Sequence, residues 1–297
     1  MISRRDTLKL TVAGYLAATP MTLAMAANSS VRWRYFQADE AGFGRTPVLL
    51  TGEQEAILID GGFTLSLGRD IARAVEATGK QLTTIYISRN DPDYYFSLRP
   101  IVETFPNAKV IAKSVTVEAI KANVQKKLEI WAPHLKENGP RVLADVVIPL
   151  VSDESSLDLE GNRIEIVEVP NMHDRRYLWV NSLKAIFGGP LISSGIHVWL
   201  ADAPTSETRA AWVKALDAMQ ARKPKVVIPG HQRDGAEQGT AAITFTRNYL
   251  LAFEEEMGRT TDSASLVAAM IKRYPDLERL GSLELGAKVA KGEIKWG

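Results

Sequence analysis

Short β-branched runs that end in glycine turns limit this chain to a small set of folds. Val48–Thr51 and Ala56–Ile59 are apolar runs joined by a short polar turn, a spacing typical of a β-hairpin. The second run ends in Asp60-Gly61-Gly62, which is a strand-to-turn signal. Leu67–Ala77 then has apolar residues at helical spacing and stops before Gly79. A hairpin that leads directly into a helix predicts a mixed α/β fold.

The alternation of strands and helices continues along the chain. Periodicity predicts strands at Thr83–Ser88, Lys109–Ala112, Ser156–Leu159, Ile164–Val169, Leu178–Val180, Ala185–Phe187 and Val226–Ile228. It predicts helices at Leu98–Phe105, within Val115–Leu135, and at Thr208–Ala221, Thr240–Met257 and Ser263–Arg273. No repeat or long linker interrupts residues 27–297, so we expect one domain. Helices around two β-rich halves predict an α/β fold with four layers, an αββα sandwich.

The first 26 residues have the three parts of an export signal. A basic segment containing Arg4-Arg5 precedes the mostly apolar stretch Leu10–Ala24, and small residues surround Ala26 and Ala27. The arginine pair resembles the twin-arginine motif, an address read by a receptor and not an anchor. A short membrane helix is the alternative, but Thr, Gly and Pro residues interrupt the apolar stretch, and spanning needs about 20 apolar residues. We expect cleavage near Ala26, a periplasmic mature protein and no stable membrane anchor.

Composition excludes several classes of function. The 297 residues carry a formal net charge of +1, and removal of residues 1–26, which carry a net +2, leaves −1. No basic run with interleaved aromatic residues occurs, so we expect no nucleic-acid partner. Cysteine is absent, which excludes disulfides, thiolate metal ligands and a cysteine nucleophile. No serine lies in a G-x-S-x-G elbow, and the chain has no phosphate-binding glycine loop.

Four landmarks along the chain carry a resemblance to a known family. They are Ile57-Leu58-Ile59-Asp60-Gly61-Gly62, Arg89-Asn90-Asp91-Pro92-Asp93-Tyr94 after a buried strand, Gly188-Gly189-Pro190, and Pro229-Gly230-His231. In this order and at these spacings, the chain resembles the metallo-β-lactamase superfamily from about Val48 to His231, with the C-terminal helices as an extension. The resemblance implies the four-layer fold and two metal ions whose bridging hydroxide attacks a substrate.

The resemblance also implies which residues would hold the metal ions, and the central motif has changed. Arg89, Asp91 and Tyr94 stand where the family motif has histidines, whereas Asp93 keeps the motif aspartate. Arg89 is permanently cationic and has no lone pair to donate. In a partly buried pocket, its guanidinium would repel a nearby dication by several kcal/mol.

The later positions are also altered. Pro190 stands where the family has the aspartate that bridges the two metal ions, and its side chain has no donor atom. His231 keeps the last family histidine, and the remaining histidine falls at or near His173, before a loop that we expect to be shortened. About two donors remain for each ion, fewer than the three protein ligands normal for catalytic zinc. We therefore expect the dinuclear site to be lost and no metal cofactor to be bound.

Two interpretations stay open for each of the central residues. Arg89 either fills the vacated space and pairs with Asp91 or Asp93, or uses its planar fork to form an anion-binding pocket. Asp93 either caps backbone N–H groups in its own loop or keeps a ligand role. His231 is either a hydrogen-bonded core histidine or a residue of the site.

The outlying aromatic and histidine residues have weaker signals. Tyr94 and Tyr95 either pack over the mouth of the pocket, or Tyr94 joins the carboxylates and histidines in a ferric iron site. The side chain of His173 either faces the pocket or is directed away from it. His197 lies between apolar residues, which is typical of a structural histidine, and His134 lies near a helix end, where we expect it at the surface.

We therefore expect an exported, hydrolase-like pseudoenzyme that binds a small or anionic ligand, or a partner, in the old active-site cleft. The ligand-pocket candidates are Arg89, Asp91, Asp93, Tyr94, His173 and His231. The alternative is a working hydrolase with a single zinc or iron ion on Asp91, Asp93, His173 and His231, or with metal-free acid–base chemistry. We also expect Arg89 to lie within salt-bridge distance of Asp91 or Asp93, because an unpaired buried charge costs several kcal/mol.

Overall fold

The structure is a computed structural model that describes residues 31–296, except for the side chain of residue 173. The export signal predicted for residues 1–26 lies outside the described residues. Within residues 31–296, no helix is both long enough and apolar enough to cross a membrane.

The first β-sheet has six strands in the order of the chain. They are β1 (Arg32–Tyr35), β2 (Val48–Thr51), β3 (Glu55–Ile59), β4 (Gln81–Ile87), β5 (Lys109–Ala112) and β6 (Leu150–Val151). Strands β1 to β3 are antiparallel, and β3 to β6 run parallel. Parallel neighbours need crossover connections. These contain the helices α1 (Leu65–Glu76), α2 (Leu98–Thr104) and α3 (Ser114–Leu135).

The second β-sheet is mostly antiparallel and is followed by helices. Its strands are β7 (Ser156–Leu159), β8 (Asn162–Val169), β9 (Met172–Val180), β10 (Ala185–Phe187) and β12 (Val226–Val227). Only β10 and β12 are parallel neighbours, and α4 (Ser206–Ala221) lies between them in the chain. The short strands β11 (Ser193–Ser194) and β13 (His231–Gln232) form a separate parallel pair. The C-terminal helices are α5 (Thr240–Arg259), α6 (Ser263–Arg273) and α7 (Leu280–Ala290).

Alternation along the strands divides the apolar residues between two sides of each sheet. In β3, Ile57 and Ile59 belong to the core between the sheets, whereas Ala56 and Leu58 pack with α1, α2 and α3. Phe187 of the second sheet joins the same inter-sheet core. Helices α4 to α7 cover the outer face of the second sheet. The predicted order of layers, helix–sheet–sheet–helix, is confirmed.

The elements that periodicity did not predict are short or carry an unfavourable composition. Strands β6, β11 and β13 have two residues each, too few for a periodic pattern. Helix α7 contains Gly281 and Gly286, which lower helix propensity. Strand β9 begins at Met172, so the loop expected after His173 is a continuous strand. A tight turn at Asn171, whose φ is 61°, connects it directly to β8.

Candidate functional site

The four landmark turns meet at one end of the two sheets. Asp60 follows β3 and the segment 89–94 follows β4, and these strands are parallel neighbours. The segments 188–190 and 229–231 follow β10 and β12, which are also parallel neighbours. The carboxyl ends of parallel strands meet at one sheet edge, where α/β proteins place their ligand sites. A hydrogen bond of 3.1 Å from the Gly189 N–H to Ser88 Oγ joins the two edges.

Two of the landmark glycines are required by close backbone contacts. A Cβ atom at Gly189, whose φ is +74°, would lie 1.9 Å from the carbonyl oxygen of Arg176. A Cβ atom at Gly230 would lie 2.0 Å from the carbonyl oxygen of Gly189. No side chain fits at such distances. The glycines therefore bring the ends of β9, β10 and β12 together at the site.

Asp60 is the buried anchor of this end of the first sheet. Its carboxylate accepts hydrogen bonds from the Ser88 backbone N–H at 2.7 Å and from Ser88 Oγ at 2.8 Å. It also forms an ion pair with Arg45 at 3.0 Å, and neither side chain is exposed. Burial raises the pKa of Asp60, while Arg45 and the Ser88 donors oppose that rise.

Arg45 connects Asp60 to the residues that line the cleft. Its Nη1 donates to the carbonyl oxygen of Gly230 at 2.5 Å, and its Nε lies 3.9 Å from Asp93. The guanidinium carbon stands 3.7 Å from the centre of the Tyr94 ring, within cation–π range. Sequence analysis did not identify Arg45 because nothing near it in the chain marks it as a site residue.

Asp93 and His231 form a hydrogen-bonded pair in the cleft. His231 Nε2 lies 2.7 Å from Asp93 Oδ2, and the side chains are 21 % and 11 % exposed. Burial lowers the pKa of His231, an effect that Asp93 opposes. The family resemblance implies that these two residues keep metal-ligand positions, and here each is the hydrogen-bond partner of the other. The site role predicted for His231 therefore has a defined geometry.

Arg89 lies at the centre of a carboxylate cluster. Its Nε is 2.9 Å from Asp91, its Nη2 is 2.9 Å from Asp202, and its Nη1 contacts Asp174. The predicted Arg89–Asp91 ion pair is confirmed. Burial disfavours ionisation of Asp91, but Arg89 and Lys127 outweigh it and lower the pKa of Asp91. Asp93, the other predicted partner of Arg89, pairs with His231 instead.

Arg175 is a second guanidinium beside this cluster. Its Nη2 donates to the carbonyl oxygen of Asp202 at 3.3 Å and lies 3.8 Å from the Asp202 carboxylate. The side chain is only 3 % exposed. Burial and the neighbouring charge of Arg89 lower the pKa of Arg175 to about 10, so the group remains cationic at neutral pH. Arg175 is poorly neutralised compared with Arg89.

A cleft with a volume of about 380 Å³ lies beside these clusters, and Arg89, predicted as a pocket residue, lies behind its wall and is not part of the lining. Its aromatic lining consists of Phe43, Phe63, Tyr94, Trp131, Trp199 and Trp296. Its charged and histidine lining includes Asp91, Asp93, Lys127, Arg175, Asp202 and His231. Such a volume, mainly apolar with a few converging polar groups, is typical of a small-molecule site. Pro190, at the position of the bridging aspartate implied by the family resemblance, is also part of the lining.

The two tyrosines have different positions. Tyr94 lines the cleft, and its buried hydroxyl has no hydrogen-bond partner among residues 31–296. Burial raises the pKa of Tyr94 above its ordinary value. Tyr95 does not pack over the mouth of the pocket. It is buried in the core beneath the first sheet, edge-on to Phe96, because the short 3₁₀ turn Pro92–Tyr94 directs the next residue inward.

Two other histidines, His197 and His134, have the environments predicted from the sequence. His197 is buried, and its Nδ1 lies 3.0 Å from the hydroxyl of Tyr249. This hydrogen bond is typical of a histidine with a structural role, although His197 also borders the cleft. His134 is exposed near the end of α3. His173 lies in β9, but its side chain is not among those described. The orientation of His173 towards the cleft therefore stays a prediction.

The described side chains do not fit a dinuclear metal centre. No group of three or more His, Asp or Glu side chains in the described part of the chain is placed to hold one ion. Asp93 and His231 bond to each other, and Asp91 is paired with Arg89 and Lys127. The Arg89 guanidinium stands among the carboxylates and would repel a dication there.

The charged run in β9 was the one available signal for the residues that sequence analysis missed. Asp174-Arg175-Arg176 interrupts a buried strand, and buried charges that need partners are typical of functional sites. Lys127 and Asp202 have no comparable local signal, because they reach the site from distant parts of the chain.

The chain was compared with protein families, curated proteins and solved structures. A family model described as the metallo-beta-lactamase superfamily matches residues 42–231. A solved metallo-beta-lactamase family protein from Thermus thermophilus is 12% identical with a TM-score of 0.57, over 88% of this chain and 91% of that chain. TMB-1 is 14% identical with a TM-score of 0.47, over 74% of this chain and 92% of that chain. No curated protein matches the sequence.

Proposed function

The chain belongs to the metallo-β-lactamase superfamily, and on that basis we propose an exported protein that binds a small ligand in its cleft without the dinuclear metal chemistry of the family. The observation that carries this proposal is the position of Arg89. Its guanidinium occupies the centre of the cluster formed by Asp91, Asp174 and Asp202. Arg89 stands where the family resemblance implies a metal-ligand histidine, and its fixed positive charge supports the loss of metal binding.

The carboxylates around Arg89 support the loss of metal binding. Each already has a cationic partner, so a metal ion would have to displace a guanidinium whose charge the site cannot otherwise neutralise. Pro190 supplies no donor for a second ion. The protein in this proposal is a pseudoenzyme with respect to two-metal hydrolysis.

The cleft itself supports ligand binding. It retains a volume of about 380 Å³ with aromatic walls and charged groups, although the groups that would hold metal ions have changed. Ligand sites of this size combine apolar walls with a few polar groups that orient the ligand. The proposal includes neither a nucleic-acid partner nor a membrane anchor.

Export to the periplasm rests on residues 1–26. Their basic segment, apolar stretch and small residues follow one another in the order of a cleavable signal. In the proposed mature protein, the cleft would meet ligands of the periplasm.

Metal analysis of the exported protein tests the proposal. We expect well under one equivalent of zinc, manganese or iron, and a Tm that hardly changes with a chelator, because a tightly bound ion would stabilise the native state by mass action. The matched variant restores the family residues together: Arg89→His, Asp91→His, Tyr94→His and Pro190→Asp. It should take up metal, whereas each single change should do little. Stoichiometric metal in the wild-type protein would overturn the proposal.

The second candidate function is hydrolysis with one metal ion on Asp91, Asp93, His173 and His231, or with metal-free acid–base chemistry. The observation that favours it is the Asp93–His231 pair at 2.7 Å in the cleft. A carboxylate that orients a histidine is a recurring device for proton transfer. Loss of both a tightly held ion and a hydrolytic activity in His231→Ala would establish the one-metal enzyme in place of the first proposal.

A further inference from the structure

Arg175 is almost completely buried, and most of its N–H donors have no partner among the described side chains and backbone. A guanidinium offers five N–H donors. In the described part of the chain, the Arg175 side chain donates only one hydrogen bond, from Nη2 to the carbonyl oxygen of Asp202. The side chain is 3 % exposed and lines the cleft. Donors that lack a protein partner at the wall of a cleft are available to a ligand.

Contacts within the fold use only part of the Arg175 guanidinium, which lies 5.1 Å from the centre of the buried Trp212 ring. Its nearest carboxylate, on Asp202, is 3.8 Å away and also accepts a bond of 2.9 Å from Arg89. Arg89 and Arg175 therefore share one carboxylate, and their charges repel each other. An anion in the cleft would relieve this repulsion and use the free donors.

Aromatic side chains line the cleft next to the Arg175 guanidinium. Asp202, which contacts Arg175, accepts hydrogen bonds from the indole N–H groups of Trp199 at 3.1 Å and Trp296 at 2.8 Å. The two indole rings lie 5.5 Å apart at 73°. The Asp202 carboxylate thus contacts two indole rings and the Arg175 guanidinium in the same part of the cleft. A ligand anion on Arg175 would carry its body against these rings.

A second group of aromatic side chains extends the apolar lining. Phe63 lies 5.0 Å from Phe43 and 5.3 Å from Trp131 between ring centres, and all three border the cleft. Flat apolar groups pack well among such rings in edge-on or offset arrangements. The cleft therefore favours an aromatic or polycyclic body over a flexible polar one.

The charge balance favours an anion with a single charge. Around Arg175, the cations Arg89 and Lys127 are accompanied by Asp91, Asp174 and Asp202, and the cleft lining adds one cation, Arg279, and one carboxylate, Asp93, so positive and negative charges are equal in number. A monoanion leaves the site with one excess negative charge, whereas a dianionic phosphate leaves two, which costs more in a partly buried cleft. A carboxylate also matches the planar fork of arginine in a bidentate manner.

We infer that the cleft binds a hydrophobic monocarboxylate, with its carboxylate on Arg175 and its aromatic or polycyclic body against Trp199, Trp296 and the Phe43–Phe63–Trp131 group. This inference rests on the proposed function, since it requires a cleft that takes a small ligand without metal ions. It adds the chemical class of the ligand and the residue that selects it.

Calorimetric titration of the mature protein with three probes tests the inference. The probes are 2-naphthoate, its uncharged methyl ester and 2-naphthyl phosphate. We expect 2-naphthoate to bind at least about tenfold more tightly than either of the others, because a charge-assisted hydrogen bond contributes a factor of that order. Arg175→Gln should remove this preference and leave the affinity for the ester unchanged. Arg163→Gln, an exposed arginine on β8, is the matched control and should change nothing.

Stability measurements separate a binding role from a structural one. Arg175→Gln should fold with at most a small decrease in Tm, because relief of the repulsion from Arg89 offsets the lost contacts with Trp212 and Asp202. Arg175→Lys keeps the positive charge but lacks the paired N–H donors of a guanidinium. It should bind 2-naphthoate with an affinity between those of the wild type and Arg175→Gln. Equal affinities for acid and ester, no binding of any probe, or a preference for the phosphate would overturn the inference but not the metal-free cleft. Binding of 2-naphthoate that disappears with a chelator would instead overturn the proposed function.

Discussion

Arg89 shows how one buried charge can bring together residues from distant parts of the chain. A guanidinium holds three carboxylates from separate segments, Asp91, Asp174 and Asp202, and its own side chain is 5 % exposed. Removal of one partner from a buried ion cluster costs more than the cluster contributes, because the remaining charges stay desolvated. We therefore expect Arg89 to stabilise this end of the molecule.

We predict that Arg89→Met destabilises the protein by roughly 2–3 kcal/mol, below the range for a fully buried pair because the three aspartates are partly exposed. Urea unfolding of the wild type and variant measures the difference. Arg73→Met is the matched control, since its ion pair with Asp70 is largely exposed and should contribute less than about 1 kcal/mol. Equal losses in the two variants would show that the Arg89 cluster is not the stabilising feature.

The turns between elements determine how closely the two sheets approach. Gly189 and Gly230 allow strand ends to meet at the cleft, and at the opposite end Glu160, in the β7–β8 turn, accepts three backbone hydrogen bonds from the β2–β3 turn. Each contact joins segments that are distant in the chain. Elements that periodicity predicts individually are thus fixed relative to one another by a few turn residues.

Replacement of Gly189 by alanine should cost about 2–4 kcal/mol. The left-handed φ contributes about 1 kcal/mol, and the clash of the new Cβ with the Arg176 carbonyl adds the cost of overpacking. Gly79→Ala isolates the first contribution, because Gly79 has a similar φ of +66° and nothing within 4 Å of a new Cβ. Chemical denaturation of both variants gives the comparison. Equal losses of stability in the two variants would refute the close approach of Gly189 to the Arg176 carbonyl.

Acid stability should depend on Glu160. Its hydrogen bonds with the backbone N–H groups of Glu53, Gln54 and Glu55 lower its pKa in the folded protein. A carboxylate with a lowered pKa stabilises the fold above its unfolded pKa, and this contribution is lost as the pH falls through the folded pKa. In Glu160→Gln, Tm should therefore fall less steeply than in the wild type as the pH decreases from about 4.5, the ordinary glutamate pKa. Glu118→Gln, an exposed position on α3, should keep the wild-type profile.

The whole molecule combines a family scaffold with a cleft at one end. The two sheets and their outer helices form the αββα sandwich of the metallo-β-lactamase superfamily. C-terminal residues contribute to the cleft as well, since Trp296 borders it and donates a hydrogen bond to Asp202. The proposed ligand therefore contacts both the family core and its C-terminal extension.

For the full-length chain, we predict that Arg4→Lys combined with Arg5→Lys leaves precursor in the cytoplasm. A twin-arginine receptor recognises the arginine pair itself and not only its charge. Fractionation followed by immunoblotting measures the exported share, and Lys9→Arg is a control that keeps both arginines. Unaltered export of the double variant would favour ordinary secretion.

The layers and the family were predictable from the amino-acid sequence, because both depend on local signals. Strand and helix periodicities and the Asp60-Gly61-Gly62 turn are readable within a few residues, and landmark order along the chain is a property of sequence. The Arg89–Asp91 pair was predictable for the same reason, since the two residues are close in the chain.

The partners of the other charges are known only from the folded chain. Asp93 bonds to His231 across 138 positions of sequence, and Asp202 meets Arg89 across 113. Arg45 enters the site from a turn without a motif, and the only local signal for Arg175 is the charged run in its strand. An ion pair depends on which strand ends meet in space, and a buried charge pairs with the nearest counterion whatever its distance along the chain. Local motifs therefore predict some residues of the cleft, such as Asp91 and His231, but only folding decides which charges pair there.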